Sequence, residues 1–183
     1  MGFVRGFKAE ANRIALRVRE QMALAPTAPI DPFAVCAFFD IEVTKLSQLP
    51  CNTVMFRGVG QASFSAVTVP CGLRTAIVHN DVHHPYRQRS NICHELAHCF
   101  LGHVHTPPLT AAGERIYNKG VEAEANVLGG CLLISNEAAM HIAAQGLQPV
   151  AQALYGVSKQ MLDYRMKISG ALVIQRRRLN RAA

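Results

Sequence analysis

The sequence predicts an α+β fold in which a small sheet with antiparallel strands is combined with a majority of helices. Apolar residues recur at helical spacing near the N-terminus and again from residue 86 onwards. Between these regions, residues 51–79 are rich in β-branched and aromatic residues and contain glycine turns, as strands do. Half of the 183 residues are hydrophobic, which is enough to bury a core in one domain.

The N-terminal part is predicted to hold two helices followed by a strand. Residues 9–25 show an apolar stripe of helical period, and the segment PTAPIDP ends this helix because proline cannot continue it. Asp31 then caps a short helix with Pro32 at its first position, which runs to about Phe39. The segment IEVTKL follows as a strand.

The middle of the chain is predicted to change from strands to helices. The strand candidates are TVMFRGV, ASFSAVTV and RTAIVHN. A helix is predicted from Tyr86 to Gly102, and a loop with two prolines separates it from a third long helix over residues 119–134. Asn136 begins another helix.

The C-terminal region resembles a helix-turn-helix. In AQALYGVSKQMLDYRMK, Gly156 marks the turn and Ser158 caps a second helix. The segment ALVIQ is strand-like, and an arginine-rich end follows it. We therefore expect a main domain over residues 1–145 and a C-terminal helical segment with a basic tail over residues 146–183.

Composition narrows the compartment and the class of partner. The formal net charge of +7 weakly favours acidic partners or nucleic acid. The six cysteines include no CxxC pair, so we expect free thiols in a reducing compartment and no cysteine zinc knuckle. The sequence contains no apolar leader and no stretch of about 20 apolar residues, so we expect a cytoplasmic protein.

The segment SNICHELAHCFLGHVH contains an HExxH motif. His94 and His98 are spaced i, i+4, so both imidazoles project from one face of the predicted helix and can bind a single Zn²⁺. Glu95 is next to the first of them and is placed to take a proton from a water molecule at the metal. The motif alone is short and also occurs on amphipathic helices without metal.

A third ligand is needed, and the sequence offers two glutamates. A metzincin would have histidine ten positions after His94, where this chain has Val104, so that class is excluded. Glu122 shares a helix face with Asn126, an ExxxN arrangement that resembles the ExxxD element of glutamate-type zincins. Glu124 lies about 200° round the helix from Glu122. We therefore expect Glu122 to be the ligand, Asn126 to orient a ligand histidine, and Glu124 to be a solvated or capping acid.

Several further polar residues lie near the motif. We expect the loop histidines His79, His83 and His84 to be exposed, and His103 to interact with the dipole at the end of its helix. Donors that could stabilise an oxyanion are Tyr86, Arg87, Arg89 and Tyr117, and the sequence does not choose among them.

Together these stretches resemble the ImmA/IrrE-type metallopeptidases. The similarity covers most of residues 3–140 and is most specific in IVHNDVHHPYRQRSNICHELAHCFLGH and EAEANVLGGCLLIS, although Ser135 stands where the family has proline. The resemblance implies a zincin-like catalytic domain. It also implies zinc binding by His94, His98 and Glu122, with Glu95 as general base.

The resemblance also implies a substrate class. Such peptidases cleave helix-turn-helix repressors and so relieve repression in mobile elements or stress responses. The alternative is a DNA-binding regulator that uses the C-terminal helix-turn-helix segment and its arginines. The two functions are distinguished by Lys159, Gln160 and Arg165, which DNA binding requires on one exposed convex face.

Overall fold

The computed structural model describes residues 6–72, 74–103 and 118–182 and confirms the α+β prediction. Helices predominate in the described residues, and a three-stranded sheet packs against them. The helices are α1 Phe7–Gln21, α2 Pro32–Phe38, α3 Val54–Arg57, α4 Pro85–Leu101, α5 Lys119–Leu133, α6 Asn136–Ala144, α7 Gln148–Tyr155, α8 Lys159–Ile168 and α9 Ala171–Ala182. The strands are β1 Glu42–Lys45, β2 Ala66–Cys71 and β3 Arg74–His79. The boundary at residue 145 stays a prediction.

The sheet is mixed and has the order β1-β3-β2. β1 runs parallel to β3, with Val43 opposite Ile77, and β2 runs antiparallel to β3, with Thr68 opposite Ile77. Ile77 is fully buried beneath α4, as expected for a central strand whose alternate residues face the core. Among the described strands, β2 therefore lies at the edge of the sheet.

Two central helices, α4 and α5, form the middle of the core. Nearly all of α5 from Ala125 onwards is buried, because it contacts α4 on one side and α1 on another. At Gly129 the two helices meet backbone to backbone. A Cβ there would lie 3.0 Å from the carbonyl oxygen of Cys93 and 3.1 Å from the amide nitrogen of His94. Such contacts are tighter than most Cβ contacts, so a side chain here would push the two backbones apart.

The C-terminal end of α5 is held by two fully buried arginines. Arg19, from α1, donates to the carbonyl of Leu132 at 2.8 Å and also contacts the carbonyls of Cys131 and Leu133. Arg165, from α8, donates through Nε to the carbonyl of Ile134 at 2.8 Å. Carbonyls in the last turn of a helix have no partner within the helix. A cation there also interacts favourably with the negative end of the helix dipole.

Ser135 starts the next helix at a position where the family pattern has proline. Its hydroxyl accepts from the amide of Ala138 at 2.9 Å, as an N-cap does, and donates to the carbonyl of Pro26 at 2.7 Å. Asn12 completes this junction, because its side chain accepts from the amide of Asn136 and donates to Glu137. The departure from proline thus provides a cap.

Most predicted elements are confirmed, including the Asp31 and Ser158 caps and the left-handed turn at Gly156. Two predicted strands are wrong. TVMFRGV contains the short helix α3, which ends at Gly58, and ALVIQ opens α9. β-branched residues favour strands only weakly, so tertiary contacts override the preference; here α9 packs on α6 and α8.

Within the described residues, no single helix is both long and apolar enough to cross a bilayer. Helices α5 and α6 together reach that length and composition, but they form a pair bent by 51°.

Two of the loop histidines expected to be exposed are buried. His79 is 1% exposed and packs edge-on against Phe33, with ring centroids 5.7 Å apart. Neither of its ring nitrogens has a hydrogen-bond partner within the described ranges. Both ring nitrogens of His83 have partners. Nε2 faces the carbonyl oxygen of Gln61, and Nδ1 faces the side-chain nitrogen of Asn91. His84 caps α4 by accepting from the amide of Tyr86.

We expect Gly129→Ala to destabilise the protein although alanine favours helices. The added Cβ meets backbone atoms that cannot rotate away, and such overpacking costs about 1–3 kcal/mol. Gly120→Ala, in the exposed first turn of the same helix, is the matched control and should leave stability equal or slightly higher. Urea unfolding of both variants measures the difference. Equal stability of the two variants would contradict the close contact.

We expect His79 to make the protein less stable in mild acid. Burial lowers the pKa of His79 below its ordinary 6.5. The unfolded chain therefore binds a proton more readily than the folded chain, so stability is complete above pH of about 6.5 and declines as the pH falls below it. His79→Leu should flatten the decline in the free energy of unfolding between about pH 7 and 5. The exposed His141→Leu variant is the control and should keep the wild-type slope.

Candidate metal centre

α4 brings two imidazoles together on its partly exposed side. The helix buries its other side through Ile92, Cys93, Leu96 and Ala97. This leaves His94 and His98, one turn apart, facing away from the core. Their Nε2 atoms are 3.1 Å apart. The i, i+4 spacing seen in the sequence therefore does place two nitrogens side by side.

α5 adds a carboxylate to these nitrogens. Glu122 Oε2 is 3.2 Å from Nε2 of His94, and Oε1 is 3.8 Å from Nε2 of His98. The ligand-capable atoms of the three residues all lie within 4.8 Å of one another. Metal–ligand bonds of about 2.0–2.1 Å in a tetrahedron place ligand atoms roughly 3.3 Å apart, so the observed spacings fit a zinc-sized ion. Two imidazoles and one carboxylate also match the donor set of catalytic zinc sites.

Asn126, on the same face of α5 as Glu122, contacts the first histidine. Its Oδ1 is 3.1 Å from Nδ1 of His94. An amide oxygen can only accept, so Nδ1 of His94 carries a proton, and Nε2 is the nitrogen that faces His98 and Glu122. A histidine that binds a metal through Nε2 needs this tautomer.

Glu95 is held by a residue that the sequence analysis missed. Thr68, on the edge strand β2, donates its hydroxyl to Oε2 of Glu95 at 2.7 Å. Burial raises the pKa of Glu95 above its ordinary value, although the Thr68 hydrogen bond and the nearby His94 oppose the rise. A carboxylate with a raised pKa accepts a proton more readily, as a general base must. The contact spans 27 residues, so no local pattern indicated it.

The three candidate oxyanion donors within the described residues make different contacts. Arg89 pairs with Asp31 and with the carbonyl of Ile30, and it lies against Gly156, so it supports the fold. Arg87 donates to Ser65, and Tyr86 stacks against His84. Tyr117 lies outside the described residues. The choice among these residues stays open.

His103 and Glu124 occupy positions that the sequence did not suggest. Nδ1 of His103 lies 3.0 Å from Nδ1 of His98, and Nε2 of His103 lies 3.4 Å from a carboxylate oxygen of Glu124. Glu124 is partly exposed, as expected for an acid near the start of its helix, and it also makes this contact. Glu124 contacts the site through His103.

The thiols beside the motif face the core. Cys93 is fully buried, and burial raises its pKa well above the ordinary range for a thiol. Burial also raises the pKa of Cys99. Thiols that stay protonated are poor ligands and poor nucleophiles. Neither cysteine belongs to the group of candidate metal ligands among the described residues.

Comparison with known proteins agrees with this geometry. The family model for the IrrE N-terminal-like domain, peptidase M78, matches residues 39–167, a span that includes both histidines of the motif and Glu122. No curated protein sequence matches the chain. Because the family model covers more than half of the sequence, the chain belongs to the ImmA/IrrE-type metallopeptidases of the peptidase M78 family.

Proposed function

We propose that the protein is a zinc-dependent endopeptidase with His94, His98 and Glu122 as zinc ligands and Glu95 as general base. The convergence of two imidazole nitrogens and one carboxylate at near-tetrahedral spacing carries the proposal. Zinc, when bound there, supplies a Lewis acid that polarises a carbonyl oxygen and lowers the pKa of a water molecule to about 7. The three protein ligands leave a fourth position free for water or substrate.

Glu95 is proposed to move the proton. It takes a proton from the attacking water as the C–O bond forms, and it returns that proton to the leaving amine as the C–N bond breaks. The hydrogen bond from the Thr68 hydroxyl to Oε2 holds the carboxylate of Glu95 in a fixed orientation for this transfer. The raised pKa of Glu95 favours the protonated form that the second step requires.

The substrate is proposed to bind as an extended segment along β2. This strand is at the edge of the described sheet, and it carries Thr68, which contacts the general base. An exposed edge offers backbone donors and acceptors to a peptide in extended conformation. A substrate that pairs with β2 would lie beside Glu95, so a peptide bond would be held near both the base and the ligand group.

We propose a helix-turn-helix repressor as the substrate, whose cleavage relieves repression in a mobile element or a stress response. The family membership supports a protein substrate. A repressor substrate would place the enzyme in the cytoplasm. The α9 helix supports a charged partner, since Arg176, Arg177, Arg178 and Arg181 lie on it without any acidic residue.

Direct DNA binding by the C-terminal segment is the second candidate, and its support is weaker. Arg165 is fully buried and donates to Ile134 and Asn136, so it does not lie on an exposed face. Lys159 is exposed but pairs with Asp163. Only Gln160 of the three distinguishing residues is both exposed and without an acidic neighbour in these contacts.

The test of the proposed function is Glu95→Gln. Glutamine keeps the shape of the side chain but cannot accept a proton, so we expect zinc binding and folding to persist while hydrolysis falls roughly 10²- to 10⁴-fold. Mass spectrometry of a helix-turn-helix repressor encoded by a neighbouring gene, co-expressed with the enzyme, measures cleavage.

The control for the metal is His98→Ala. Metal analysis should find about one zinc per chain in the wild type and in Glu95→Gln, and little in His98→Ala. Full zinc content in His98→Ala would reject the ligand assignment. Activity of Glu95→Gln within a few-fold of wild type would reject the role of Glu95.

The α9 arginines are expected to serve substrate recognition. Changing Arg176, Arg177 and Arg178 to alanine should leave zinc content unchanged but weaken repressor cleavage, because all three are exposed and distant in sequence from the ligands. The double variant of Arg13 and Arg17, exposed on α1, is the control. A DNA role predicts instead duplex binding that falls steeply with salt, less steeply in the triple variant. Normal cleavage without DNA binding would show that these arginines are only solvated.

A further inference from the structure

We propose that His103 and Glu124 form a positioning pair behind His98, which fixes the tautomer of that imidazole and strengthens its bond to the metal. This rests on the proposed function, since it takes His98 to be a metal ligand. Neither residue touches the substrate or the metal in this proposal. Both act through His98, in the way that Asn126 acts through His94.

The side chains of His98, His103 and Glu124 form a continuous series of contacts. Nδ1 of His98 faces Nδ1 of His103 at 3.0 Å, with the two rings nearly perpendicular and their centroids 5.0 Å apart. Nε2 of His103 faces Oε2 of Glu124 at 3.4 Å. The His103 side chain is 10% exposed, so water competes little for its nitrogens.

The end of α4 explains how His103 reaches back to His98. Gly102 adopts a left-handed conformation with φ of 64°, and the amide of His103 then donates to the carbonyl of His98 at 3.0 Å. This is the hydrogen-bond pattern of a glycine-terminated helix, in which the chain folds over the last turn. The glycine therefore puts the His103 ring beside the His98 ring.

Proton positions follow from the chemistry of the two rings. A neutral imidazole that binds a metal through Nε2 carries its proton on Nδ1. Two facing Nδ1 atoms can share only one proton, so His98 donates and His103 accepts. His103 must then hold its own proton on Nε2, where the carboxylate of Glu124 accepts it. Every donor in this series has an acceptor.

The His103–Glu124 pair also gives a separate role to each of the two glutamates near the start of α5. Glu122 and Glu124 are about 200° apart round α5, so both cannot reach one metal. Glu122 is near the histidine nitrogens directly, and Glu124 reaches them through His103. Histidine ligands whose outer nitrogen is bonded to a carboxylate or carbonyl are better oriented and more basic. Residues of α5 thus support both histidines. The neutral amide of Asn126 contacts His94, and the carboxylate of Glu124 acts on His98 through His103.

The experiment compares three variants with the wild type. His103→Leu removes the acceptor nitrogen Nδ1 and replaces the imidazole with an apolar side chain of moderate size. His103→Asn keeps an acceptor, because Oδ1 of asparagine occupies nearly the place of Nδ1. Glu124→Gln removes the charge, and His141→Leu, on the exposed side of α6, is the matched control. Zinc affinity is measured by competition with a chromophoric chelator. The visible spectrum of the Co²⁺-loaded protein reports coordination, and thermal unfolding in chelator reports folding without metal.

We expect His103→Leu to weaken zinc binding about 10- to 100-fold and to alter the cobalt spectrum, while metal-free unfolding stays near that of His141→Leu. His103→Asn should restore affinity to within about threefold of wild type. Glu124→Gln should cause a smaller loss than His103→Leu. It carries the test if His103→Leu does not fold.

Two results would overturn the inference while leaving the proposed function intact: wild-type affinity in both His103→Leu and Glu124→Gln, or an equal loss in His103→Leu and His103→Asn. Failure of the proposed function gives a different pattern. In that case His98→Ala binds zinc as tightly as wild type does, and the inference falls with it.

Discussion

The site depends on the backbone contact between α4 and α5 at Gly129. Because no side chain separates the helices there, the amide of His94 lies against α5 at a fixed distance. α5 then reaches the His94–His98 side of α4 with three polar residues, Glu122, Glu124 and Asn126. Close packing of this kind is rigid, and it holds the candidate ligand atoms of the two helices close together.

The chemistry of the site comes from three parts of the chain. α4 provides the imidazoles and the proposed base, α5 provides the third ligand candidate, and β2 provides the hydroxyl that holds Glu95. The two helices are attached to the buried core at points close to these polar residues: α5 at Gly129, and α4 at Cys93 and Leu96. Groups fixed by a core need no reorganisation when a substrate arrives, which is the usual source of catalytic advantage in such sites.

The sequence predicted those parts of the site whose partners are local, and it missed those whose partners are distant. The HExxH spacing and the shared face of Glu122 and Asn126 follow from the helical period of 3.6 residues, and the caps at Asp31 and Ser158 follow from the preference of these residues for the N-cap position. Thr68 and the contact of Glu124 with His103 depend on how the sheet and helices pack, which no local pattern contains. The helices in TVMFRGV and ALVIQ were missed because β-branched residues tolerate either state once tertiary contacts decide.

The two buried arginines tie both ends of the described chain to the helix that carries Glu122. Arg19 reaches the last turn of α5 from the N-terminal side, and Arg165 reaches it from α8. Removing either segment would leave buried carbonyls at the end of α5 without their charged hydrogen-bond donor, and an unpaired buried acceptor is costly. The segment after residue 145 therefore supports the helix that carries the candidate metal ligand Glu122. For this reason we expect the protein to unfold in one cooperative transition rather than in two.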